Sequence, residues 1–388
     1  MNETRLMLLG AGELGKELAI SAKRLGLRVV AVDRYDDAPA MHVADSAEVI
    51  SLTDSVALEG AVRTHRPDFI VPELEGVPGD KLRELEAEGF PTVPSAEAVR
   101  LTAQRGAMRR LASQDLGLPT PAYAFAGSED ELRDACDDVG YPCVAKPLMG
   151  SMGRGHSVIS GPARVERAWE HACVGTPEEH VRLVVEEFVD FEWEVVLPAV
   201  QQRDGRVLFL TPLAHRHERG TYRESWTPAG LTSEQRGEAQ QIARKLLSHL
   251  GGPGFYAVEL FLTSGGFIFS EVVPRPHAAG LVTLVSQDLS QFDLHLRSIL
   301  GLPFPSVRYH GPSASAVVQA PEGGRVECYG GVERALEVPT AQVRIHGKPT
   351  AYRGRRMAVA LATGVDTAEA RSRALEAAAR VDVGVTPW

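Results

Sequence analysis

The sequence predicts a parallel α/β unit followed by a larger α+β unit and a small β-rich end. Three observations predict it. Apolar strands alternate with helical stretches over residues 1–108. Consecutive strands joined by tight glycine turns dominate residues 109–305. Short apolar runs with a single helical stretch fill residues 306–388. Alternation of strand and helix builds parallel sheets, and strands joined by tight turns build antiparallel ones.

In the first unit, residues 6–9 read as a short apolar strand and 13–25 carry helical periodicity. Residues 28–32 form a second strand ending at Asp33. Residues 69–71 form another, with a helix over 81–88. A helical linker is expected over 95–111. The middle unit has strands over 141–146, 181–185, 193–200 and 207–211, and helices over 129–138 and 233–250. Arg203-Asp204-Gly205 is a hairpin turn signal. At the C-terminal end, 313–319, 338–347 and 356–363 read as strands, and a final helix over 367–381 closes the chain.

Composition narrows the function classes. Charged residues are 24% and the net charge is −10 with no long basic run, which argues against nucleic acid as a partner. No apolar stretch reaches membrane-spanning length, and the first residues lack the pattern of a secretory leader. Cys136, Cys143, Cys173 and Cys328 form no CxxC pair and no zinc-spaced cluster, so a reducing cytoplasm is expected.

Gly10-Ala11-Gly12-Glu13-Leu14-Gly15 matches a dinucleotide-binding loop, with Asp33 where a ribose ligand would stand. A nicotinamide enzyme is the reading this motif gives alone. Glu13 inside the loop would repel a pyrophosphate, however, and suits a substrate with hydroxyls or an amine. The second glycine loop, Met149 to Ser157, follows an apolar strand that ends in Lys146. Backbone N–H groups in such a loop can wrap phosphates, and a lysine on an apolar strand needs an anion or an exposed head. The alternative is a surface hairpin. Val184-Val185-Glu186-Glu187-Phe188-Val189 is an apolar strand running into a linker, able to meet an adenine edge, or simply a solvated acidic turn.

Glu259 and Glu271 flank a Thr263-Ser264-Gly265-Gly266 turn. With the turn centred on Gly265, they oppose each other in the register that pairs Phe261 with Phe269. Two facing carboxylates repel, and a hard divalent cation such as Mg²⁺ between them removes the conflict.

Lys146, the second loop, Glu186, Glu259, Glu271 and Pro274-Arg275-Pro276-His277 come in the order of the ATP-grasp superfamily, which the chain resembles. Within it, the chain is similar to the formate-dependent phosphoribosylglycinamide formyltransferases over nearly its whole length. The segments that carry this likeness are residues 7–17, 31–44, Tyr222-Arg223-Glu224-Ser225-Trp226 and 282–290. The resemblance implies an ATP-grasp fold with an N-terminal Rossmann-like domain and ATP and Mg²⁺ as cofactors. Arg105 and Lys146 would contact phosphates under a loop of Ser151, Met152, Gly153, Arg154, Gly155 and His156. Glu186, Glu187, Phe188 and Val189 would meet adenine, and Glu194 the ribose. Glu259 and Glu271 would hold the metal. Glu13, Leu14 and Glu73 would meet the amine substrate, and Lys348, Arg355 and Arg356 would clamp its phosphate. Arg275 would steady an acyl phosphate. The family also implies a homodimer.

The chain departs from the family pattern at three places. Arg154 stands for a lysine and Met152 for a small hydroxyl residue. Ala278 stands for an aspartate that contacts the glycinamide. Losing one hydrogen bond to a charged group costs about 1.5–3 kcal/mol. The expected reaction is formyl transfer from formate, through formyl phosphate, to phosphoribosylglycinamide. A ligase joining another carboxylate to another phosphorylated amine is the alternative. A nucleotide-sensing protein and a dehydrogenase are more distant ones.

Overall fold

The computed structural model describes residues 3–74, 76–148, 155–174, 180–218, 221–304 and 306–388. The N-terminal sheet is parallel, in the order Ser46–Val49, Arg28–Asp33, Arg5–Leu9, Phe69–Pro72. Its two central strands are apolar and buried over Leu6–Leu9 and Val29–Val32, because helices cover both faces. Helix Glu13–Arg24 has an acid in its first turn and Lys23 and Arg24 in its last, matching the helix dipole. Gly10 has φ +121°, and a Cβ there would lie 2.7 Å from the Leu74 side chain and 3.2 Å from Glu73. Glycine therefore lets the loop before that helix press against Glu73.

Two antiparallel sheets follow. The smaller runs Tyr123–Ala126, Leu183–Glu187, Cys143–Pro147, Ser157–Ile159 and is backed by helices Glu129–Val139 and Val165–Cys173. The larger runs Gly266–Val273, Gly254–Thr263, Trp193–Gln201, Leu213–Glu218, Thr221–Thr227, Ser313–Gln319, Arg356–Thr363, Gln342–Ile345, with Val207–Phe209 beside Trp193–Gln201. Helix Ser233–Leu250 buries its apolar stripe on this sheet. A reciprocal cap between Thr232 and Gln235 starts that helix, and Gly251 at φ +64° ends it. The C-terminal segment thus extends the large sheet with three strands and adds a small sheet ordered Thr350–Ala351, Gly324–Gly330, Asp382–Thr386.

Several expected elements are corrected. The linker is two helices, Ala96–Thr102 and Arg105–Arg110, the second passing into a π-helical turn at Leu111–Asp115. The strand expected over 181–185 is Leu183–Glu187, so Glu186 and Glu187 lie in the sheet and not in a following linker. The strand over 338–347 shortens to Gln342–Ile345, because helix Val332–Leu336 and its turn occupy the approach. The C-terminal helix, Thr367–Ala379, does not close the chain; strand Asp382–Thr386 pairs back onto Gly324–Gly330.

Candidate active site

The Gly254–Thr263/Gly266–Val273 hairpin places Glu259 directly opposite Glu271, as its sequence predicts. The partner of Phe261 is Ile268, however, and not Phe269. The register shifts between Glu259 and Leu260, where a bulge sets Leu260 against Phe269. Without that bulge the two acids and the apolar hairpin face would not both keep their sides. His277 Nδ1 accepts from the Ala279 N–H at 3.2 Å. Its proton therefore sits on Nε2, which lies 3.1 Å from Glu259 Oε1. Burial lifts the Glu259 carboxyl, but His277 and the charge of the other nearby histidines hold it below the usual carboxylate range. Gln291 fixes this turn, accepting from the His277 N–H at 3.0 Å and donating to its carbonyl at 2.9 Å.

A buried ion cluster lies beside the hairpin. The register of Cys143–Pro147 against Leu183–Glu187 puts Lys146 and Glu186 on one face. Lys146 Nζ donates to Glu186 Oε2 at 2.5 Å, and Arg109 Nε donates to Glu186 Oε1 at 2.8 Å. Arg109 also donates to the carbonyls of Phe269 at 2.9 Å and Ser270 at 3.0 Å, immediately before Glu271. Burial raises the Glu186 carboxyl, but the charges of Lys146 and Arg109 more than offset it and keep the group ionised. Arg109 thus ties the small sheet to the hairpin. Arg105, one turn earlier, donates to the Pro147 carbonyl at 2.8 Å. Burial, with Arg105 and Lys146 nearby, pushes His156 down to about 4. Ser151, Met152, Gly153 and Arg154 lie outside the described residues. Gly155 adopts φ +73°, and a Cβ there would meet the Pro147 ring at 2.7 Å.

Glu186 spends both carboxylate oxygens on Lys146 and Arg109, so its side chain is an ion-pair hub here and not an open acceptor for an adenine amine. Glu187 accepts weakly from the Ala122 N–H at 3.3 Å, and Phe188 is exposed. Val189 follows at the strand end. Glu194 stands on the neighbouring large sheet, 2.7 Å from His217 Nδ1.

The opposite end of the site joins the N- and C-terminal segments. Glu13 pairs with Lys348 at 2.8 Å and Arg356 at 3.0 Å. Burial alone would lift Glu13, but these two cations hold it well below the ordinary range. Arg355 donates to Thr350 Oγ1 at 2.9 Å and to the Tyr35 hydroxyl at 3.3 Å, and lies 5.5 Å from the ring centroids of Tyr35 and Tyr352. Leu14 packs its side chain into the N-terminal core, so only its backbone can face a ligand. Glu73 is 4% exposed, and neither of its oxygens has a hydrogen-bond partner among the described residues. Burial pushes its carboxyl up to about 8, against the opposing charge of Arg275. A buried carboxylic group without a partner is costly, and its environment suits an incoming cation. Ala278 opens the 3-10 turn Ala278–Val282 and packs among apolar neighbours.

Asp33 gives the glycine loop its explanation. Its Oδ2 accepts the Ala11 N–H at 2.8 Å and its Oδ1 the Arg34 N–H at 2.8 Å. The acid expected of a dinucleotide site is spent on holding the loop that carries Glu13.

An ATP-grasp domain model matches residues 111–292, a "PurT, C-terminal" model residues 313–381, and a ribonucleotide synthetase preATP-grasp model residues 4–104. A formate-dependent phosphoribosylglycinamide formyltransferase from Trichormus variabilis is 46% identical, covering 98% of this chain and 97% of its own. One from Synechococcus sp. is 50% identical, covering 97% and 96%. The chain belongs to the formate-dependent phosphoribosylglycinamide formyltransferase family.

Two solved structures share the fold over nearly the whole chain. A glycinamide transformylase T from Mycobacterium tuberculosis superposes with TM-score 0.80 at 35% identity, covering 97% of this chain and 100% of that one. A carboxyaminoimidazole ribonucleotide synthase from Aspergillus clavatus, complexed with ATP, superposes with TM-score 0.87 at 26% identity, covering 98% and 100%. Among the residues expected from the formyltransferases, the structure brings together Lys146 with Glu186, Glu259 with Glu271, and Glu13 with Lys348 and Arg356.

Arg109 was missed by sequence reasoning. Its signal was an arginine placed on the helix face that also carries Met108 and Ala112, where burial demands a partner. His295, whose Nδ1 accepts from the Phe255 N–H at 3.1 Å beneath Glu73, carried no sequence signal. The Tyr222–Trp226 segment is structural: Glu224 is buried between Arg216 and Arg371, and Arg371 stacks 3.9 Å over Trp226.

Proposed function

We propose that this chain transfers a formyl group from formate to the amine of 5-phosphoribosylglycinamide, driven by ATP and Mg²⁺. The observation that carries the reading is Arg109. One guanidinium bonds Glu186 of the Lys146–Glu186 pair and the backbone beside Glu271, which supports reading the two elements as the phosphate and cation sides of one site.

Glu259 and Glu271 fit a hard divalent cation. They are opposed oxygen donors, and Glu259 is held in its ionised form by the His277 N–H. When bound, Mg²⁺ neutralises charge on the ATP phosphates. Lys146 and Arg105 bring cationic donors to the same phosphates, and the segment from Ser151 to His156 covers them. Glu187, Phe188 and Val189 flank the adenine, and Glu194 accepts from the ribose.

A formate oxygen attacks the γ-phosphorus and the bond to ADP breaks, giving formyl phosphate. Arg275 offsets the charge on that intermediate. The substrate amine then forms the C–N bond, the C–O bond to phosphate breaks, and the amine proton leaves. Position and fixed charge accomplish this without a covalent protein intermediate. Lys348, Arg355 and Arg356 clamp the substrate phosphate in place of the Glu13 carboxylate, which turns to the amine end with Glu73. Arginine forks suit phosphate oxygens. The protein acts in the cytoplasm as a homodimer, and sedimentation of the purified protein reads the oligomeric state.

The test is ADP release by purified protein with ATP, Mg²⁺, formate and 5-phosphoribosylglycinamide, with mass analysis of the product. A formylated product whose formation requires all four supports the reading. Formate-dependent ADP release without that product would overturn the acceptor, and Ala278 is where such a failure would originate.

A further inference from the structure

The sheet face next to the Glu259–Glu271 pair carries a second, chemically different donor set. Glu194 and His215 are directly opposed across strands Trp193–Gln201 and Leu213–Glu218. His217, two residues on, returns to the same face. His217 Nδ1 lies 2.7 Å from Glu194 Oε2 and His215 Nε2 lies 3.9 Å from it. One ligand atom from each of the three residues falls within 4.8 Å of the other two. His215 is 3% exposed, and its other nitrogen, Nδ1, has no hydrogen-bond partner among the described residues.

We propose that Glu194, His215 and His217 form a binding site for a borderline transition-metal ion of the Zn²⁺ class, and that filling it competes with ATP. Two imidazoles and a carboxylate suit Zn²⁺, Cu²⁺ or Ni²⁺, whereas Mg²⁺ selects all-oxygen surroundings. Three protein ligands with one open position is the arrangement of an exchangeable zinc site. Around a tetrahedral zinc ion, donors sit about 3.3 Å apart. The observed 2.7 and 3.9 Å bracket that value, so small side-chain rotations complete the site. The ion displaces the hydrogen shared by His217 and Glu194, and no other bond is broken. The competition with ATP rests on the reading of Glu194 as the ribose acceptor; the metal site itself does not.

Two measurements on the full-length, chelator-treated protein separate these parts. The first is Co²⁺ titration without nucleotide, followed by visible d–d absorption and then by back-titration with Zn²⁺. One equivalent of four-coordinate Co²⁺ displaced by Zn²⁺ is expected. The charge-transfer bands of cobalt–thiolate should be absent, because none of the four cysteines takes part. His217→Gln keeps a donor toward Glu194 but removes a ligand. It should weaken binding by at least about tenfold, the scale that even an outer partner of a metal ligand commands. Absence of the spectrum, thiolate bands, or an unchanged affinity in His217→Gln would overturn the site. The second is the effect of Zn²⁺ on steady-state kinetics at saturating Mg²⁺. A rise in apparent KM for ATP, lessened in His217→Gln, is expected. Cobalt binding without any effect on KM for ATP would overturn the competition and the ribose role of Glu194, while leaving the metal site standing.

Discussion

Arg109 Nε donates to Glu186 Oε1 at 2.8 Å in a setting where neither side chain is more than 6% exposed. The pair joins a helix of the linker to the central strand of the small sheet, and the two remaining Arg109 contacts reach the hairpin that carries Glu271. Removing the guanidinium leaves Glu186 with Lys146 as its one cationic partner among the described residues, and strands two hairpin carbonyls. Arg109→Met is therefore expected to cost about 3–5 kcal/mol of stability, as for a broken buried ion pair. It should also raise the KM for ATP, because Lys146 is drawn further onto Glu186. Arg109→Lys keeps the charge but not the fork, and should fall between. Thermal denaturation together with ATP kinetics checks this; a variant with wild-type Tm and KM would remove Arg109 from the account.

Glu73 predicts the pH dependence of the free protein. Its folded proton affinity, about 8, lies above that of an exposed glutamate. Between about 4.5 and 8 the unfolded chain therefore loses this proton while the folded chain keeps it. Stability falls as pH rises through that window, by up to roughly 5 kcal/mol from this group alone. Histidines act in the opposite sense and lower down. Burial holds His295 and His346 down at about 3 and His156 and His215 at about 4, so they add stability as pH rises toward 6.5 and lose it in acid. Against the effect of burial, His217 is lifted above 6.5 by its bond and charge pairing with Glu194 and titrates there in the same sense as Glu73, so the difference between Glu73→Gln and its parent isolates Glu73 in that range. Glu73→Gln should gain Tm relative to the parent across that window, most at its upper end. A Tm difference that stays flat from pH 6.5 to 8.5 would sink the assignment.

Glu13 stands where a substrate phosphate would compete for Lys348 and Arg356. Burial depresses the Lys348 ammonium, and Glu13 opposes that effect. Glu13→Gln leaves the buried Lys348 ammonium beside the half-buried Arg356 guanidinium with no acid between them. The variant should lose stability in dilute buffer, by about 3–5 kcal/mol on the scale of a broken buried pair. It should then recover more Tm than the parent on addition of inorganic phosphate. Equal phosphate responses in the two proteins would show that this cluster is not the phosphate clamp.

How much of this was legible in the sequence follows from the range of the forces involved. The helix Ser233–Leu250 and the strands Ser313–Gln319 and Arg356–Thr363 follow from local signals, namely a cap, a glycine stop and short apolar runs. The opposition of Glu259 and Glu271 was legible because a hairpin turn sets register locally, but the bulge after Glu259 was not, since it answers to packing on both faces. The return of strand Asp382–Thr386 to Gly324–Gly330 is a long-range pairing with no turn signal between the two. Buried partners were the least legible part of the site. Nothing in the sequence near Arg109 names Glu186, and nothing near Asp33 says that its carboxylate is spent on Ala11.

Glu271 faces Glu259 across the hairpin, and the response to Mg²⁺ reads whether the pair serves a cation. Glu271→Gln keeps the side-chain shape and removes one negative charge from a pair that the register forces together. Relief of the cross-strand repulsion contributes only a few tenths of a kcal/mol to the free protein, so the readout that bears on the cation is the response to Mg²⁺. The same change removes a ligand from the site proposed for Mg²⁺. The rise in Tm produced by Mg²⁺ with ATP should shrink, and kcat should fall by about 10²–10³-fold, as when one fixed electrostatic partner of a transition state is lost. Differential scanning calorimetry with and without Mg²⁺ and ATP, set beside steady-state kinetics, reads both effects. A variant that loses stability in the free state but responds normally to Mg²⁺ would mean that Glu271 serves the fold rather than the cation.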